Sequence, residues 1–190
     1  MRSHTAPDRI TGDRGVVLVE AVFIFPVVFF ILMAVIEFGL LVAGQSTTQS
    51  STREGARFAS ANFGVAANKR VVSDQIRDEV TKDLGALTGY DTPIQLLVYK
   101  SNVNGIPVKG SLGACTESCF HYTWNGSAFA YDNSSPGWSD PQACIGSTLD
   151  SIGIYVEVRH NYVTGAFGSS KLLAEHSVSR LEPLPLVQCP

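Results

Sequence analysis

The residues with the most evident chemistry are a glutamate near the N-terminus and four cysteines in the C-terminal half. Glu20 follows Gly15 by five positions and lies just inside a long apolar stretch. An unpaired charge costs about 2.5–3.5 kcal/mol at the middle of a bilayer and less near its surface. The carboxylate therefore needs either an amine partner or access to the membrane interface, which a snorkelling side chain of a simple single-span anchor would have.

The apolar stretch around this glutamate is long enough to cross a membrane. No charged residue lies between Ala21 and Ile36, and the segment from Val16 to Gly44 has 29 residues. As a helix it would measure roughly 43 Å, against a hydrocarbon core of about 30 Å. A secretory signal cleaved near Gly44 is the alternative, but signal peptides usually have an apolar region of about 7–15 residues. We therefore predict a transmembrane helix over residues 16–44.

All the cysteines, Cys115, Cys119, Cys144 and Cys189, follow the apolar segment. An even number of cysteines on one side of a membrane segment favours disulfides in an oxidising compartment. Their spacing matches no standard zinc site. Four cysteines allow three pairings, and the spacing does not select among them; our working assignment joins Cys119 to Cys144 and Cys115 to Cys189.

Composition and motifs argue against several other functions. The net charge is −3 and no basic run occurs, so we expect no nucleic-acid partner. The four histidines are scattered without a serine or acidic context of known spacing, and phosphate-binding glycine loops are missing. The acidic loop at residues 132–140 lacks the spacing of a calcium loop. We expect no enzymatic activity, cofactor or metal.

The remaining sequence predicts an α+β fold. The first helix should continue through a polar, proline-free extension and end between Asn62 and Gly64. A second, amphipathic helix is predicted over residues 68–84, with Val72, Ile76, Val80 and Leu84 on one face.

Strand signals begin after Pro93 and continue to the C-terminus. They cover residues 94–100, a hairpin over residues 120–131 with Asn125-Gly126 at its turn, and residues 150–162 and 172–181. Helices followed by consecutive antiparallel strands make an α+β domain. We therefore expect a leader at 1–15, the transmembrane helix at 16–44, a helical extension at 45–63 and an extracytoplasmic α+β domain at 64–190.

The N-terminal third of the chain resembles a known family. The pattern is Gly15, four apolar residues, Glu20, an apolar run with an early proline (Pro26), an acidic residue near its end (Glu37), and Arg-Glu-Gly-Ala-Arg at residues 53–57. It is similar to TadE-like proteins, which are small pilin-like proteins of bacterial tight-adherence (Flp-type) pilus systems. Ala21 departs from the pattern, because an aromatic residue usually follows the glutamate.

The resemblance implies a processing site and a set of partners. A prepilin peptidase would cut between Gly15 and Val16, and Glu20 would become the fifth residue of the mature chain, able to pair with the new N-terminal amine of a neighbouring subunit. The partners would be that peptidase, the pilus assembly platform, other pilin-like subunits and the lipid bilayer.

Two functional hypotheses follow. The first is a minor pilin-like subunit in the bacterial cytoplasmic membrane, single-pass, with its C-terminal domain outside the cytoplasm. A cytoplasmic N-terminus is favoured by Arg2, Arg9 and Arg14 against Asp8 and Asp13. The alternative is a single-span, membrane-anchored binding domain that does not assemble into pili.

Overall fold

The computed structural model describes residues 13–87, 89–185, 187 and 189, with side chains from residue 15 onward. Most of the predicted leader lies outside the described residues. The chain forms two compact units, Met1–Gly39 and Leu40–Pro190. Its elements in order are α1 (Asp13–Asn62), α2 (Lys69–Leu84), β1 (Asp91–Ser101), β2 (Gly110–Ser111), β3 (Ala114–Cys115), β4 (Cys119–Trp124), β5 (Phe129–Tyr131), β6 (Ser151–Asn161) and β7 (Ser170–Arg180). The predicted α+β class is confirmed.

Helix α1 is continuous over 50 residues and passes through Pro26. In its polar extension the short hydroxyl side chains satisfy their donors by bonding to carbonyls about one turn back, as Thr48 does to Gly44 at 2.8 Å. Within the second unit the extension packs closely through small residues, with Ala56 and Ala59 buried. At Gly55 an added Cβ would lie 2.5 Å from the Cγ2 atom of Val80 in α2. The extension is therefore part of the core of the second unit.

Helix α2 begins and is oriented as its sequence predicts. The side chain of Asn68 caps its N-terminus by accepting hydrogen bonds from the backbone N–H groups of Arg70 and Val71. The four aliphatic residues of the predicted face, Val72, Ile76, Val80 and Leu84, are all buried. They join a core with residues of α1 and of the sheet.

The main sheet has five antiparallel strands in the order β5-β4-β1-β6-β7. Each predicted strand is present, and Asn125-Gly126 lies in the β4–β5 turn, where Gly126 has a φ of 100°. β1 begins at Asp91, before Pro93, and its register with β6 shifts between Pro93 and Gln95. Proline cannot donate a ladder hydrogen bond, and a bulge at this point allows Pro93 to lie within the strand. The short β2–β3 hairpin was not predicted, since two-residue strands leave no periodic signal.

The two faces of the sheet are covered differently. Helices α1 and α2 contribute to the larger core on one face, together with alternating strand residues such as Leu96, Val98 and Ile154. A smaller cluster contains Leu97, Tyr99, Cys119 and Tyr155, with Leu112 packed against it. The second unit is thus a helix-covered sheet with an independent apolar core.

Candidate membrane-assembly site

The first described unit is an apolar helix whose side chains are mostly exposed, although Glu37 near its end is buried. Between Val16 and Ile36 the Val, Leu, Ile and Phe side chains are about half exposed or more, with Phe23 at 72%. One helix in the described part of the chain is long and apolar enough to cross a membrane, and its best 18-residue window has a mean hydropathy of 2.9. So large an exposed apolar surface is stable only in lipid or against other proteins. This helix supports membrane anchoring.

Gly15, Val16 and Glu20 all lie in the first two turns of α1. Glu20 is exposed and forms no hydrogen bond or ion pair with any residue that the structure describes. Val16 and Glu20 are separated by one helical turn, so their side chains lie on the same face, about 5–6 Å apart at Cβ. The structure therefore places the predicted new N-terminus beside the predicted carboxylate.

A shallow groove of about 420 Å³ runs along the face of the helix that carries Glu20. Its other lining residues are apolar: Val17, Ala21, Ile24, Phe25 and Val28. The arrangement is a concave apolar strip with a single carboxylate at one end, a surface that another apolar helix carrying a cationic group could cover.

The scissile bond predicted between Gly15 and Val16 lies in the first turn of the helix, which begins at Asp13. The first four N–H groups of a helix have no intrahelical acceptor, so this turn opens at low cost. A Cβ added to Gly15 would meet no atom within 4 Å. Among the described residues, nothing shields this bond.

The cysteines form two disulfides, Cys115–Cys119 and Cys144–Cys189, and none of them is free. The working assignment of pairs is therefore wrong, although the prediction of disulfides agrees with the structure. Cys115 ends the small β2–β3 hairpin and Cys119 begins β4, so a tight loop brings them together at a Cα–Cα distance of 6.5 Å. Cys144 approaches Cys189 because residue 144 bridges to Leu184 in the C-terminal tail. Among the described residues, no cluster of three or more potential metal ligands occurs.

A buried polar pair lies at the edge of the helix-covered core and was not predicted. Nδ1 of His160 is 2.7 Å from Oδ1 of Asp91, and both side chains are fully buried. A Cβ added to Gly44 in α1 would lie 2.8 Å from the same carboxylate oxygen. Gly44 therefore makes room for this pair. The two partners are 69 positions apart in the chain, so no local pattern indicates the pair, and the β1–β6 pairing brings them opposite each other.

An open cleft of about 520 Å³ lies beside the N-terminus of α2 and is lined by cationic and aromatic side chains, including Lys69, Arg70, Tyr131 and Trp138. The guanidinium of Arg70 lies 3.5 Å from the centre of the Tyr131 ring. Partial burial lowers the pKa of Lys69, and nearby Asp140 raises it by a smaller amount. The Lys69 ammonium donates to three carbonyls of the turn that follows α1, those of Phe63, Gly64 and Ala66, so its first role is structural.

Comparison with known proteins yields one match. No curated protein and no solved structure matches the chain. Residues 15–57 match the family described as TadE-like protein. The matched range begins at Gly15 and ends at Arg57, so it contains the predicted cleavage and pairing residues and the Arg-Glu-Gly-Ala-Arg motif. The resemblance to the TadE-like family is therefore confirmed over residues 15–57, and the apolar helix in the same range supports membrane anchoring.

Proposed function

We propose that this protein is a minor pilin-like subunit of a bacterial tight-adherence pilus machine. The observation that carries the proposal is Glu20, a carboxylate with no partner among the described residues, on an exposed apolar helix inside the range that matches the TadE-like family. An apolar helix alone would serve any anchor. A carboxylate in its second turn adds a reason for helices to associate.

The proposed mechanism starts with removal of the leader between Gly15 and Val16. The new α-ammonium of Val16 and the carboxylate of Glu20 then lie at the same end of the helix. When two copies, or a copy and a related subunit, pack laterally, the ammonium of one pairs with the carboxylate of the other. Each charge offsets the desolvation of its partner, and the pair sets the axial register of the two helices.

The orientation in this proposal follows from charge and from the cysteines. Arginines of the leader favour a cytoplasmic N-terminus. The two disulfides suit an oxidising compartment and so support a second unit outside the cytoplasmic membrane. The partners are then a prepilin peptidase, the assembly platform, other pilin-like subunits and lipid. The proposal assigns no catalytic activity, cofactor or metal to the chain.

The first test is the N-terminus of the protein isolated from membranes. Intact-mass and N-terminal sequencing should find a chain that begins at Val16 in cells with an active prepilin peptidase and at Met1 in cells without it. A chain that begins at Met1 in both would contradict the processing step.

The second test separates insertion from assembly. Glu20→Ala should leave the protein in the membrane fraction while reducing piliation and lateral crosslinking at least tenfold, because the amine of the neighbour loses its counterion. Glu20→Asp should restore part of the assembly. Glu79→Ala, at a partly exposed glutamate of α2, is the matched control and should have no effect on piliation. Normal piliation with Glu20→Ala would exclude the pairing role.

The alternative is an anchored binding domain that never assembles, and the cleft at the N-terminus of α2 is the feature that favours it. Under this hypothesis the chain would keep its leader, and Glu20→Ala would change nothing. Substitutions in the cleft, such as Arg70→Ala, would instead reduce attachment to surface polymers.

A further inference from the structure

Strand β7 is an open sheet edge of full length. It has 11 residues, all of them paired with β6, and no strand of the described chain lies on its other side. The opposite edge, β5, has only three residues. Long edge strands usually carry a proline, a bulge, charged side chains or a covering segment that prevents pairing with other chains, and the charges of β7 leave residues 176–179 between Glu175 and Arg180. β7 contains no proline, and its register with β6 is unbroken over all its residues.

The backbone groups that remain available can be identified by residue. The N–H of Leu181 donates to the carbonyl of Asp150, next to β6. Because N–H and C=O directions alternate along an antiparallel strand, Ser179 and Ser177 also point toward β6. His176 and Val178 therefore direct their N–H and C=O groups away from the sheet. They form a free ladder for one additional strand.

The Arg-Glu-Gly-Ala-Arg motif of α1 lies beside this free ladder. A groove of about 370 Å³ is lined on one side by Arg53, Ala56 and Arg57 of α1, and on the other by residues 177–179 of β7. Arg57 is 81% exposed and lies 3.8 Å from Glu54. Arg53 has no carboxylate within ion-pair distance among the described residues. The hydroxyls of Ser177 and Ser179 donate to no described acceptor, so the groove offers mainly donors and positive charge.

We propose that the β7 edge and the arginines of α1 form a docking site for an extended, acidic segment of a partner protein. The segment would add a sixth strand through the outward groups of His176 and Val178. A carboxylate on its helix-facing side would bind Arg53 and Arg57, whose guanidinium groups suit the planar geometry of a carboxylate.

The charges of the site favour a different protein over a second β7 strand. Strand β7 carries two positive charges, Lys171 and Arg180, and one negative charge, Glu175. Beside the groove, α1 adds two positive charges, Arg53 and Arg57, and one glutamate. Pairing β7 with itself would therefore bring together two basic strands, each next to a basic groove. The docking site uses only residues of the second unit and does not depend on cleavage at Gly15, so it can hold whether or not the pilin role does.

The test uses the full chain in nanodiscs and a synthetic probe. The probe is a blocked nine-residue peptide of alternating threonine and valine with glutamate at two positions on one side; the control peptide has lysine at the same positions. We expect saturable binding of the acidic peptide by fluorescence anisotropy and at least tenfold weaker binding of the lysine peptide. Amide exchange at His176 and Val178 should slow when the acidic peptide is bound.

Two variants separate the backbone contribution from the charge contribution. Val178→Pro removes an outward N–H but no bond to β6, so it should abolish peptide binding while the melting temperature changes little. Arg53→Glu with Arg57→Glu should also abolish binding, whereas Lys82→Glu, an exposed charge reversal on α2, should not. Absence of saturable binding, equal binding of the two peptides, or unchanged binding by Val178→Pro would overturn the proposal.

Discussion

The two units of this chain contain parts of the same helix, α1, but the side chains of the two parts differ in size and in exposure. In residues 16–36 of α1, large side chains such as Phe23 and Phe30 are 72% and 69% exposed. In residues 41–59, much smaller side chains such as Ala56 and Ala59 are almost fully buried. Hydrophobicity along the helix therefore does not correlate with burial inside the protein. The first part depends on lipid or on other helices, and the second part depends on the sheet.

This difference shows that packing in the second unit depends more on how closely α1 approaches its neighbours than on how apolar the residues of α1 are. Small residues in α1 let the helix approach Val80 and Ile154, and those contacts exclude water. The first unit needs no such fit, because lipid chains adapt to its surface. The same substitution should consequently have different effects in the two units.

The largest expected difference is between two phenylalanines. Phe63 is fully buried against Trp138 at a centroid distance of 4.8 Å, whereas Phe23 is 72% exposed. Phe63→Ala should reduce the unfolding free energy of the second unit by about 3–5 kcal/mol, because it removes a buried ring and leaves a cavity. Phe23→Ala should leave that free energy unchanged. Denaturant unfolding in detergent, followed by near-UV circular dichroism, measures both; equal effects would contradict the division into two units.

The disulfides give the next largest effect and are confined to the second unit. Cys144–Cys189 spans 45 residues in sequence and Cys115–Cys119 spans four. In the chain-entropy description, the stabilisation is about 4 kcal/mol for the longer loop and about 2 kcal/mol for the shorter one. Replacing the longer pair by serines should thus cost about 2 kcal/mol more than replacing the shorter pair. Equilibrium unfolding of the two double variants provides the comparison, and far-UV signal from the apolar helix should be unaffected in either.

The smallest expected effect comes from alanine substitutions at two glycines of α1, one in each unit. At Gly55 an added Cβ would meet the Cγ2 atom of Val80 at 2.5 Å, whereas at Gly39 it would meet nothing within 4 Å. Alanine favours a helix over glycine by about 1 kcal/mol, so Gly55→Ala combines this gain with a larger packing cost. We expect a net loss of about 1 kcal/mol for Gly55→Ala and no loss for Gly39→Ala, measured by thermal unfolding. Stabilisation by Gly55→Ala would show that α1 can shift away from α2.

Much of the secondary structure could be predicted, because its signals are local. The face of α2 follows from aliphatic residues at a four-residue spacing, and its start follows from Asn68, a good N-cap residue. The β4–β5 hairpin follows from Asn125-Gly126 between aromatic strands. The first β-strand is longer than its predicted range, because Pro93 does not end the strand and is accommodated at a bulge.

The candidate membrane site was also predictable, since Gly15, Val16 and Glu20 are neighbours in the chain. Their geometry requires only that the segment be helical. The docking site proposed at β7 could not be found in this way. Arg53 and Arg57 are more than 100 residues from Ser177, and only folding places them around one groove.

The amino-acid sequence by itself determined the membrane helix, the position of Glu20, the α+β class and the presence of disulfides, because each depends on composition or on spacing within a few turns. The tertiary structure alone decided the disulfide partners, the Asp91–His160 pair and the free edge beside the arginines. Those features depend on strand order, which places β6 between β1 and β7, and strand order depends on which apolar faces can be buried together.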